Sequence, residues 1–175
     1  MQKKPMVKQQ ETLDGRYLSM STAATTRHVK AGLYDEDFYA WAMKTAGLLR
    51  QRRFAEIDIA HLAEELEDMG KRERRALESY LRNVTLHLLK WRYQPEKRGA
   101  SWRQSIRNGR IEIQKLLRDS PSLSGEVSQM LADEYSAARA DAIDETELSD
   151  KTFPNHCPFT MEQVLDEKFW PDNGN

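Results

Sequence analysis

From Asp35 onward the apolar positions recur at steps of three and four. Residues 35–53 place Phe38, Trp41, Ala42, Thr45, Leu48 and Leu49 on one stripe, the spacing of an amphipathic helix. Acids at Asp35, Glu36 and Asp37 and bases at Arg50, Arg52 and Arg53 match the polarity of a helix dipole. Asp58 then reads as an N-cap for a short helix with Ile59, Leu62, Leu66 and Met69 as its stripe, ending near Gly70. A second run over 71–93 sets Leu77, Leu81, Val84, Leu88 and Trp91 alternately four and three residues apart, the seam of bundle packing. One continuous helix bent at Gly70 is the alternative, because an internal glycine weakens a helix by only about 1 kcal/mol.

Gln94-Pro95 ends this run, since the residue before proline avoids the α region. Ser101 or a neighbour is expected to cap a helix to about Arg118, carrying Trp102, Ile106, Ile113, Leu116 and Leu117. Ser120-Pro121 reads as the start of the next helix, to about Glu147, with Leu123, Val127, Met130, Leu131, Tyr135, Ala138, Ala142 and Ile143. Residues 149–159 hold two prolines and no period, so they read as a loop. Thr160 and Gln163 form a capping-box pair for a short last helix that stops before Pro171. No repeat and no strand pattern is present. The expected fold is an all-α, single-domain bundle of five or six helices around a long central helix at about 71–93. It spans 33–171, with a loosely ordered extension over 1–32 and a short tail at 172–175.

Composition agrees with helices: eight glycines and six prolines in 175 residues are too few for a many-turned β protein. One cysteine, Cys157, excludes an internal disulfide framework. No apolar run approaches the roughly 18–20 residues a membrane helix needs, so no membrane association is expected. The N-terminus lacks the apolar centre of a secretory signal, and a cytoplasmic location is expected.

The net charge of −1 hides four blocks. Residues 1–32 carry six Lys/Arg against two acids, and 33–70 carry four against nine. Residues 71–118 carry fourteen against four, and 119–175 carry three against thirteen. Such blocks either neutralise one another inside the molecule or face a partner.

DFYAW (37–41), EELEDMG (64–70), HLLKWRYQP (87–95), SPSL (120–123) and FPNHCPFTMEQVLDEKFWP (153–171) occur in this order. With these motifs the chain resembles, over about 33–171, a bacterial family catalogued as a domain of unknown function, number twenty-nine of its series. The resemblance implies an all-helical bacterial cytoplasmic protein and brings no activity with it.

The candidate chemistry lies in three places. His61, Glu64, Glu65 and Asp68 share a helical face and, joined by His87 from what would be the next helix, form a candidate divalent-metal set. An acidic solvated face is the ordinary alternative. His87 and Glu65 are the speculative catalytic pair, against a structural role for His87 bonded to a carbonyl. Lys97, Arg98 and Arg103, within a basic segment interleaved with Trp91, Tyr93 and Trp102, are a candidate nucleic-acid contact. His156-Cys157 reads as a loop anchor rather than a nucleophile. No phosphate-binding glycine loop, nucleophile elbow or dinucleotide fingerprint is present. The leading expectation is therefore a non-enzymatic interaction or structural protein without a cofactor, acting through a protein partner or as a homodimer. A metal-dependent hydrolase or metal binder is the first rival, and a polyanion binder the second.

Overall fold

A computed structural model describes residues 32–172. The extension expected over 1–32 therefore lies, except for Gly32, outside the described residues, as does the tail after Asp172. The chain divides into two compact units, Met1–Arg52 and Arg53–Asn175. Among the described residues there are six α-helices and no strand.

The first unit holds α1 (Leu33–Glu36) and α2 (Phe38–Arg50). The acidic triplet expected to open one helix is divided between two. Asp35 and Glu36 end α1, and the Asp37 carboxylate caps α2 by accepting from the Ala40 N–H at 2.9 Å. Tyr34 packs edge-on to Trp41 at 4.9 Å, with Phe38 5.5 Å from the same ring. Two residues past α2, Arg52 adopts a left-handed φ of 58°.

The second unit is built on α3 (Ile59–Tyr93), α4 (Ala100–Asp119), α5 (Val127–Thr146) and the short α6 (Met161–Leu165). Asp58 caps α3 as the sequence predicts, accepting from the His61 N–H at 3.2 Å. The expected break near Gly70 is absent: α3 runs unbroken for 35 residues, about 52 Å at 1.5 Å per residue. Ion pairs straddle the glycine and offset its low propensity. Lys71 reaches Asp68 at 3.0 Å and Glu67 at 3.6 Å, and Arg72 reaches Glu65 at 3.7 Å.

Leu77, Leu81, Val84 and Leu88 of α3 are fully buried, as the seam predicts, and meet Ile106 and Ile113 of α4. Gly109 lies between those isoleucines because α3 passes too close for a side chain. A Cβ there would sit 2.4 Å from Val84 Cγ2. From α5, Val127, Met130, Leu131, Tyr135, Ala138 and Ala142 complete the core.

The basic and acidic blocks cancel along α3 and α5. Arg74 pairs with Glu126, Arg82 binds Asp141 through two bonds of 2.8 and 2.9 Å, and Lys90 Nζ reaches Glu145 at 2.5 Å. The partners advance together along both helices, so α3 and α5 run parallel, joined by the oppositely directed α4. Lys90 is buried and sits 4.7 Å over the Trp102 ring, a cation that the core tolerates because both contacts are made.

Helix boundaries differ from the sequence expectation where backbone partners decide them. Gly99, not Ser101, precedes α4. Pro121 opens a 3-10 turn (Pro121–Gly125), and α5 begins only at Val127. The Thr160–Gln163 capping box forms, and α6 is the short helix expected before Pro171, five residues long. The buried Arg110 guanidinium explains the early stop. It donates to the carbonyls of Val164 (2.8 Å), Gln163 (3.2 Å) and Phe169 (3.0 Å), turning 166–171 into a strap across α4. Arg98 holds the end of this strap through Pro171 O (3.4 Å) and also donates to Trp91 O (2.7 Å). Trp91 in turn packs on Trp170 at 4.7 Å.

The loop at 149–159 is fastened to α5. Tyr135 donates to Pro154 O at 2.6 Å, and Arg139 donates to the carbonyls of Asp150, Phe153 and Pro154. Burial pushes the Tyr135 phenol up to about 12, so its proton stays in this bond at any physiological pH.

Candidate functional site: the exposed half of the long helix

The most unusual feature of the second unit is what α3 leaves uncovered. Its C-terminal half supplies eight buried residues from Leu77 to Lys90, whereas none between Ile59 and Ala76 is buried. The apolar stripe nevertheless continues into that first half. Ile59, Leu66 and Met69 are 57%, 60% and 57% exposed. A stripe with more than half of three side chains in water is a larger departure from ordinary surfaces than scattered apolar residues. Beside it His61, Leu62 and Glu65 are half-buried, and Gly70 has open space where a Cβ would be.

Charge on this segment is polar along the helix axis. Glu64, Glu65, Glu67 and Asp68 precede Gly70; Lys71, Arg72, Arg74 and Arg75 follow it, with Glu73 among them. Glu67 and Asp68 pair with Lys71, Glu65 pairs with Arg72, and Lys71 holds the Asp68 carboxyl below its ordinary range.

The residues singled out as a metal set do not meet. His61 and His87 belong to one helix, 26 residues apart, hence about 39 Å along its axis. The set required a turn near Gly70, and the continuous helix removes it. Each member has a local contact instead. His61 Nδ1 lies 2.7 Å from its own cap residue Asp58, and Asp68 faces Lys71. Glu65 faces Arg72, and Glu64 is exposed. Among the described residues no three His, Cys, Asp or Glu side chains form a group able to hold a metal ion.

The continuous helix likewise separates the candidate catalytic pair His87 and Glu65, 22 residues or about 33 Å apart. His87 is half-buried and donates from Nδ1 to Asn83 O at 2.9 Å, the structural role weighed for it. Burial lowers its pKa from the ordinary 6.5. The folded state thus resists a proton that the unfolded chain accepts. Stability from neutral His87 is fully present above pH 6.5 and falls as pH drops below that value, levelling off under the folded pKa. The slope of thermal stability between pH 7 and 5 is accordingly expected to be shallower in His87→Gln than in the unmodified protein.

Cys157 is half-buried and bonded to Phe159 O at 3.4 Å. Burial raises its pKa, the opposite of what an activated thiolate needs. His156 beside it is exposed.

The basic segment is largely consumed by the fold. Arg98 serves the C-terminal strap and lies 5.3 Å from the Trp91 ring; Trp91 and Trp102 stack on internal partners. Lys97 and Arg103 are exposed. Arg103 lines a shallow cleft of about 410 Å³ with Gln104, Arg107 and Asn108, and Arg107 also edges a second cleft of about 230 Å³ formed by Arg110, Glu167 and Trp170. Arg107, part of the basic segment but not of the Lys97, Arg98 and Arg103 set, stands four residues from Arg103, which places both on one face.

No helix among the described residues is long and apolar enough to cross a membrane. In comparison with known proteins, the sequence profile of the family described as "Domain of unknown function DUF29" fits residues 33–170. Neither the curated proteins nor the solved structures contain a match.

Proposed function

The chain belongs to the DUF29 family of unknown function, and on that footing we propose that it is a non-enzymatic helical interaction module whose contact element is the exposed half of α3. One observation carries this reading: the stripe that forms the core from Leu77 onward continues uncovered through Ile59, Leu66 and Met69. A helix presenting apolar residues at three- and four-residue steps is the element that grooves and partner helices recognise. The remaining candidate chemistry is absorbed by cap, strap and core bonds. A place in the bacterial cytoplasm fits the family resemblance and is part of the proposal.

The test is the double substitution Leu66→Glu with Met69→Glu. In dilute protein, with no partner bound, both residues are solvent-exposed, and the melting temperature is expected to change by no more than a surface substitution allows, about 0.5 kcal/mol each. Binding through the face is expected to be lost. A pronounced fall in stability would show instead that the face is packed within the molecule, and would end the reading.

A second reading has one observation in its favour: Arg103 and Arg107 stand together at the two clefts on α4. If they grip a polyanion, single-stranded nucleic acid binds at low salt, and Arg103→Ala with Arg107→Ala flattens the salt slope by about two phosphate contacts. No binding at low salt dismisses it.

A further inference from the structure

Resting on the reading of α3 as a contact element, we infer that its partner is a second copy of this chain, with the two exposed half-helices paired antiparallel about an axis near Gly70.

The charge order along the helix selects both the partner and the direction. A second copy laid parallel would set Glu64, Glu67 and Asp68 against their own equivalents and the cations against cations. Laid antiparallel with the axis near Gly70, the carboxylate run of each copy covers the Lys71–Arg75 run of the other, twice over by symmetry. The same placement brings Met69 of one copy against Met69 of its mate, with Leu66 one turn further out on each side, and so shields two of the most exposed apolar side chains of α3. Gly70 then falls at the crossing point. The open space at its missing Cβ gives the helices room to approach closely there, which accounts for a glycine inside an unbroken 35-residue helix.

The experiment uses the full chain, with Cys157→Ser as background. Met69→Cys, close to the axis, is expected to form a disulfide-linked dimer under mild oxidation, whereas Ile59→Cys, about 30 Å from its mate in this arrangement, is not. Reversing one end of the charge pattern (Glu64→Lys with Glu67→Lys) is expected to weaken dimerisation about tenfold or more in sedimentation equilibrium. Adding Arg72→Glu and Arg75→Glu, which stand opposite Glu67 and Glu64 of the mate, restores complementarity with inverted sign and is expected to recover it. Cross-linking at both cysteine positions would mean parallel pairing and would overturn the inference. So would a monomer at every concentration. If that monomer's melting temperature is unmoved by Leu66→Glu with Met69→Glu, only the identity of the partner has failed. If the melting temperature falls sharply, the interaction reading has failed with it.

Discussion

Replacing Arg110 by alanine is expected to cost about 3 kcal/mol or more and to lower the melting temperature by about 10 °C. Three carbonyls, of Gln163, Val164 and Phe169, take their hydrogen bonds from this one buried guanidinium. Each becomes a desolvated acceptor when it is removed, and each such group costs about 1–3 kcal/mol. The aliphatic stem leaves a cavity as well. Burial lowers the Arg110 pKa, but an arginine remains charged in any working range, so the strap is not pH-switched through it. Lysine is a poor replacement: a single ammonium cannot span three carbonyls in the planar geometry of the fork. Thermal unfolding of Arg110→Ala, Arg110→Lys and the parent checks this, with hydrogen exchange of 161–171 rising in both variants. A loss below about 1 kcal/mol would mean that the strap holds without its arginine.

Substituting Gly109 is expected to rank next. Alanine is the better helix former by about 1 kcal/mol, yet its methyl would lie 2.4 Å from Val84 Cγ2, deep inside contact distance. Overpacking a core of this kind costs about 1–3 kcal/mol, so the clash outweighs the propensity gain for alanine, and leucine is expected to lose about 3 kcal/mol or more. The mechanism predicts coupling. In a Val84→Ala background the obstructing methyl is gone, and Gly109→Ala should turn neutral or stabilising. Chemical unfolding of the four members of the cycle decides it; additive losses would place the strain elsewhere.

Both positions show where sequence reading reached its limit. The three- and four-residue steps of Leu77, Leu81, Val84 and Leu88 were legible because a core stripe imposes a period on a helix. The Asp58 cap and the Thr160–Gln163 box were legible because orphan amides need nearby acceptors. Arg110 was invisible: its sequence neighbours are those of a surface arginine, and the carbonyls that bury it come from 53 residues or more further on. Gly70 misled because the propensity penalty of one glycine is smaller than the ion pairs around it, and the metal set built on a break there dissolved with the break. Exposure of Ile59, Leu66 and Met69 could not be read either. A periodic stripe announces that a face wants cover, and only the positions of α4 and α5 reveal that the cover ends at Leu77.

The proposed contact face is tested most directly by hydrogen exchange of residues 59–73 as protein concentration is raised. Self-pairing predicts that these amides exchange fast in dilute solution and gain protection with concentration, while those of 77–92, already held in the core, stay unchanged. Exchange in 59–73 that is independent of concentration would contradict it.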